Sequence, residues 1–177
     1  SNKFVHDMVH EIKGTSLNKP ISIMLDSFSR FRDWVKIEGT YLEGYNLESL
    51  IDDEVTFGVC LSLLKKKVPK FITAESNIVG IRISRDKKIS DIISNVGGAI
   101  TSTSLNKSGD PPIVSKDDAF EFYNNCRVIY KNISFVENIV MSNMSGNSSS
   151  FVKLGEDKIE FIRKGKFYTD IKSKLKL

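Results

Sequence analysis

Phe4, Val5, Met8, Val9 and Ile12 recur at three- and four-residue intervals, which predicts an amphipathic helix over residues 2–13 that Gly14 can end. Ile21–Leu25 has the apolar character of a strand, and Asp26 stands where it can cap a helix with Phe28, Phe31, Trp34 and Val35 on one face. Asn46 opens a short helix carrying Leu47, Leu50 and Ile51, and the mostly apolar run from Val55 to Leu64 predicts a strand. Ile78–Ile83 predicts another strand, followed by a helix over Ile89, Ile92 and Ile93. Gly98–Thr101 is expected as a short buried strand. Ser115 with Asp118 resembles a capping box for a helix through Tyr123, with Arg127–Tyr130 then a strand. From Ser150 to Lys164 two strands are expected, separated by Gly155–Lys158. Strands alternating with helices and closing in a hairpin indicate an α/β fold built on a mixed sheet.

Length and composition narrow this picture. At 177 residues the chain suits a single domain over 1–177, with a basic tail over 167–177. Cys60 and Cys126 have no paired spacing, which favours reduced thiols and a cytoplasmic location over a disulfide or metal framework. No apolar run approaches a membrane span and nothing resembles a signal peptide, so no membrane is expected as a partner. A net charge of +4 favours polyanionic partners without reaching the density of a nucleic-acid arm. Lys65–Lys67 with Lys70, and Lys164, Lys166, Lys172, Lys174 and Lys176, are expected as solvated faces. Sequons at Asn132, Asn143 and Asn147 are taken as chance, and Met141–Ser149 is the one linker-like stretch. His6 and His10 share a helical face, yet Asp7 follows the first histidine and no third ligand is evident. A surface or half-buried pair is therefore expected, and no metal site.

Residues 103–112, Thr-Ser-Leu-Asn-Lys-Ser-Gly-Asp-Pro-Pro, gather hydroxyl and amide side chains where the backbone must turn. Such a segment can offer small polar groups and backbone N–H donors to an anion, with the glycine free to take positive φ. The stretch resembles the Thr-Ser-x-Asn-x-Ser-Gly signature of the YrdC-like family of L-threonylcarbamoyladenylate synthases. Other segments follow in order. His10–Thr15 with Lys19–Ser22 is similar to that family's "x-x-I-K-G-R-P-x-x-K-P-I", and Val79–Ile83 to its "V-A-V-R-I-P" strand. Gly146–Leu154 resembles its "S-S-T-V-V-D-L" strand, and Phe161–Gly165 its "I-L-R-x-G" ending.

The resemblance implies a twisted, open mixed sheet with flanking helices, and a reaction joining L-threonine, bicarbonate and ATP into threonylcarbamoyl-AMP and pyrophosphate. The product would serve a tRNA modification, with tRNA and tRNA-modification proteins as possible partners. The threonine amine becomes a carbamate, whose oxygen attacks the α-phosphorus, so catalysis consists of positioning anions and neutralising charge. Lys13, Ser104 and Asn106 are the implied catalytic residues. Lys13, Thr103, Ser104, Asn106, Arg163 and Ser148 would bind ATP, and Thr15, Arg82 and Ser149 the substrate. Mg2+ is expected with ATP, held chiefly by phosphates and water.

Departures matter as much. Thr15 stands where the family has arginine, removing a phosphate donor and placing activity in question. Thr56–Leu61 keeps only the glycine of "W-P-G-P-x-T", and Ser84 replaces the proline after the arginine strand. The family's opening "P-T-D-T-V-Y-G-L-G" strand and loop has no counterpart after Ser1, which suggests that it lies upstream or has been trimmed. The alternative reading is a non-catalytic RNA- or nucleotide-binding protein of the same fold.

Overall fold

The computed structural model describes residues 2–136 and 146–177, so the Asn143 sequon and residues 141–145 of the linker-like stretch lie outside the described residues. The helices are α1 (Lys3–Lys13), α2 (Phe28–Trp34), α3 (Lys70–Thr73), α4 (Lys87–Asn95), α5 (Lys116–Ile129) and α6 (Tyr168–Leu175). The strands are β1 (Ser22–Leu25), β2 (Val55–Cys60), β3 (Ile78–Ile83), β4 (Ala99–Ser102), β5 (Ser150–Leu154) and β6 (Ile159–Arg163). Two compact units emerge, one of Asn18–Ser102 with Ser148–Leu177, the other of Asn2–Leu17 with Thr103–Asn147.

The first unit holds a six-stranded open sheet in the order β4-β1-β3-β2-β5-β6. β1 runs parallel to β3 and β2 parallel to β5, the remaining pairs being antiparallel, which is the mixed sheet expected from the sequence. One face is apolar because alternate residues of each strand point that way: Ile23 and Leu25, Val79 and Ile81, Phe57 and Val59, Val152 and Leu154. Phe31 of α2, Leu42, Leu47, Leu50, and Ile171 and Leu175 of α6 cover it. Each fully buried side chain of this size contributes about 1.5–3 kcal/mol, and the Phe31 and Phe57 rings meet with centroids 5.0 Å apart.

Several local expectations change. Ser27, not Asp26, caps α2, accepting from the Arg30 amide, while Asp26 takes the Arg30 side chain and the Ser27 hydroxyl. The strand through Leu64 stops at Cys60 and gives way to a 3₁₀ turn over Leu61–Leu63. β4 is a half-buried edge strand rather than a buried one, since only β1 pairs with it. Residues 167–177 are not a tail but contain α6, because Ile171 and Leu175 lie one turn apart and both enter the core.

In the second unit α1 is capped by Asn2 and ended by Gly14 at φ 61°. α5 begins at its Ser115 cap as expected, but runs on to Ile129, so the strand over Arg127–Tyr130 does not form. Propagating an established helix costs little where no glycine or proline interrupts it, and Val128 and Ile129 are carried to the surface despite their β preference. Phe120, Tyr123 and Phe135 cluster with ring centroids 5.3–6.1 Å apart. His6 and His10 are buried rather than at the surface, with ring centroids 4.1 Å apart, and His10 Nδ1 lies 3.0 Å from the His6 carbonyl oxygen. Among the described residues no group of three or more His, Cys, Asp or Glu could hold a metal ion, and no helix is long and apolar enough to cross a membrane.

Candidate functional site

The second unit builds its site around the end of α1. Gly14 turns the chain at the last helical residue, Lys13, whose ammonium is buried and donates to Ser104 O (2.7 Å), Asn106 O (2.9 Å) and Asn106 Oδ1 (2.7 Å). Ser104 Oγ donates to the same Asn106 Oδ1 at 2.7 Å, and Asn106 Nδ2 to Asp110 O at 2.6 Å. Ser108 N reaches back to Lys13 O at 2.8 Å, and Lys107 Nζ to Ile12 O at 2.6 Å. Two lysines thus complement the carbonyl end of the helix dipole while locking the hydroxyl-rich loop onto it. The sequence motif anticipated N–H groups turned inward as an anion cradle. Instead the loop turns carbonyls toward the ammonium, and the serine hydroxyl stays exposed. Thr103 is exposed and Thr15 half-exposed in the same unit, Thr15 being held by its amide to His10 O at 3.0 Å.

The first unit builds its site on the face of the sheet opposite the core. In the strand register Ile100, Met24 and Arg82 sit side by side on β4, β1 and β3. One step further along the β2–β3 register sets Thr56 beside Arg82, and Phe151 and Arg163 complete the row on β5 and β6. Arg82 and Arg163 are three strands apart, about 14 Å between backbones, a gap two extended arginines can span from either side.

Arg163 is held firmly: Nε donates to Ser149 O at 2.9 Å and an Nη to Ser149 Oγ at 3.1 Å. Ser149 Oγ in turn meets Thr56 Oγ1 at 2.8 Å in a buried pair. The close approach behind this network needs Gly165, since a Cβ there would lie 2.6 Å from Ser148 O, and its amide donates to Ser150 Oγ at 3.0 Å. Burial holds Arg82 below the usual guanidinium value, Glu54 opposes that shift and the charge of Arg163 adds to it. A guanidinium so perturbed is still protonated, and two cations that feel each other mark a place where an anion is favoured.

Of the residues expected from sequence, Lys13, Ser104 and Asn106 come together in one unit, and Arg163 and Ser149 in the other, with Ser148 adjacent in the chain and Arg82 within electrostatic reach. Thr56, Glu54 and Phe151 were not anticipated. Thr56 had a signal in the alternation of β2, where Val55, Phe57 and Val59 claim the core face and leave Thr56, Gly58 and Cys60 on the other.

Comparison with known proteins bears on the family and the fold. The Sua5/YciO/YrdC family model, described as "Telomere recombination", matches residues 1–165. A threonylcarbamoyl-AMP synthase of Buchnera aphidicola subsp. Baizongia pistaciae is 34% identical over 105 residues, covering 58% of this chain and 54% of the relative. One of Riesia pediculicola is 42% identical over 62 residues, covering 35% and 33%. The matched part thus spans about half the length of the first relative and a third of the second. Among solved structures, P. abyssi Sua5 complexed with L-threonine superposes with a TM-score of 0.70 at 20% identity, covering 98% of this chain and 48% of that one. E. coli YciO gives 0.64 at 14% identity, covering 94% and 75%. These likenesses establish the fold.

Proposed function

Because this chain belongs to the Sua5/YciO/YrdC family, we propose that it makes threonylcarbamoyl-AMP from L-threonine, bicarbonate and ATP, releasing pyrophosphate, for modification of tRNA. The observation that carries this reading is the row of Arg82, Thr56 and Arg163 with the buried Ser149 hydroxyl, a fixed set of polar groups for anions on the face of the sheet opposite the core. The reaction needs no side-chain nucleophile. The threonine nitrogen bonds to the bicarbonate carbon with loss of water, and a carbamate oxygen then bonds to the α-phosphorus as the bond to the pyrophosphate oxygen breaks. Both steps bring anions together, so donors already fixed in place lower the barrier.

In this reading Arg82 and Ser149 orient the threonine carboxylate, and Arg163 and Ser148 meet phosphate oxygens. Lys13 holds the 103–110 loop in one shape through Ser104 O, Asn106 O and Asn106 Oδ1. Mg2+ would arrive with the phosphates, held chiefly by them and by water and lending them positive charge, since Asn106 Oδ1 already accepts from Lys13 and Ser104.

The test is pyrophosphate release from ATP with L-threonine and bicarbonate present or omitted. Release that needs both supports the reading, and release indifferent to L-threonine overturns it. Thr15→Arg should raise turnover about 10-fold or more by returning a charged phosphate donor. A second reading, nucleotide binding without turnover, draws on the three acceptors already held by Lys13 and on Thr15. ATP binding with no threonine-dependent release in wild type or Thr15→Arg would select it.

A further inference from the structure

The polar face of the sheet has no side chain at two facing positions, Gly58 on β2 and Gly80 on β3. Phe151 fills the space. A Cβ on Gly58 would fall against Cε1 of the Phe151 ring and 2.9 Å from Cζ, while one on Gly80 would lie 3.5 Å from Cε2 and 2.7 Å from Ser22 Oγ. The ring therefore leans from β5 across β2 toward β3, over the row of glycines next to Thr56 and Arg82. Backbone lies directly beneath it, so it cannot retreat into the sheet when pushed. Arg82 stands two residues from Gly80 on the same face of β3, so a ligand whose anionic group it held would meet this ring on one side.

We propose that Phe151 is a specificity-determining residue that sets the size of the substrate at Arg82, admitting an amino acid with a small side chain and excluding a larger one. The inference rests on the reading that an amino-acid carboxylate sits on Arg82. A single extra methylene against a packed wall is discriminated about 10- to 200-fold, which is the scale expected for the ring against a branched side chain.

The test is calorimetric titration of the full chain with L-threonine and with L-leucine, in wild type, Phe151→Val, Phe151→Leu and Arg82→Gln, each checked for folding by circular dichroism. Wild type should favour threonine at least 10-fold. Phe151→Val should cut that preference about 10-fold or more by gaining leucine, Phe151→Leu should fall between, and Arg82→Gln should lose both ligands. An unchanged preference in the folded Phe151 variants, or leucine binding as well as threonine in wild type, overturns the size role and leaves the functional reading standing. Loss of both ligands in both Phe151 variants also overturns it, because the ring would then be holding the site together. Wild type that binds neither amino acid removes the functional reading and this inference with it.

Discussion

Replacing Lys13 by methionine keeps most of the buried stem and removes the charge, and the structure gives the cost. The ammonium serves three acceptors, Ser104 O, Asn106 O and Asn106 Oδ1, at 2.7–2.9 Å. Asn106 Oδ1 keeps the Ser104 hydroxyl, so it remains satisfied, but the two carbonyls lose a charged donor. Bonds to a charged group are worth about 1.5–3 kcal/mol each, and the ammonium no longer has to be desolvated, which returns part of that. The net loss should be about 2–4 kcal/mol, concentrated in the loop from Thr103 to Ile113. Urea unfolding measures the total, and hydrogen exchange at the Ser108 and Ile113 amides, bonded to Lys13 O and Leu105 O, localises it. Lys13→Arg should recover less than half, because a planar fork cannot place its donors where a single tetrahedral nitrogen does. A loss below about 0.5 kcal/mol in Lys13→Met, with exchange unchanged at both amides, would show that Lys13 does not organise the loop.

Two further outcomes follow from the first unit. Gly98→Ala should cost about 1–3 kcal/mol in urea unfolding, since φ is 86° and a Cβ would lie 2.6 Å from Cζ of Arg30, pushing that guanidinium off Asp26. Burial, with the nearby Tyr45, Asp157 and other groups adding to it, pushes the Tyr41 phenol up to about 12 from its ordinary 10, and its hydroxyl donates to Gly155 O at 3.1 Å. The unfolded chain releases this proton first, so stability held below pH 10 should decline as pH rises toward about 12. Tyr41→Phe should remove that part of the decline and the late step in an ultraviolet titration.

What sequence revealed about this fold follows how local each signal is. α1, α4 and the β5–β6 pair carry their periodicity and caps within a dozen residues, and they form as the pattern implies. α5 does not stop at Tyr123 because its apparent β-rich ending competes with a helix already nucleated by the Ser115 cap. α6 was obscured by lysines on its outer positions, although Ile171 and Leu175 already had core spacing. Lys13 and the 103–107 loop were legible as a motif, but their mutual contact, ninety-odd residues apart in sequence, was not.

The same reasoning explains why the sheet-face site escapes a linear reading. Thr56 and Ser149 are 93 residues apart and meet only because β2 and β5 pair in parallel with Val55 opposite Ser150. With β2 held by its pairing to β3, a one-residue slip of β5 in that register would turn Phe151 into the core and Val152 out of it, an exchange the apolar face forbids. Core packing therefore fixes the register, and the register fixes which polar groups become neighbours. The position of Arg82 beside Thr56, and of Phe151 between Thr56 and Arg163, is thus enforced from the opposite face of the sheet by Phe57, Val59, Ile81 and Val152. Changes to those four should disturb donor geometry as well as stability, although none of them lies on the site.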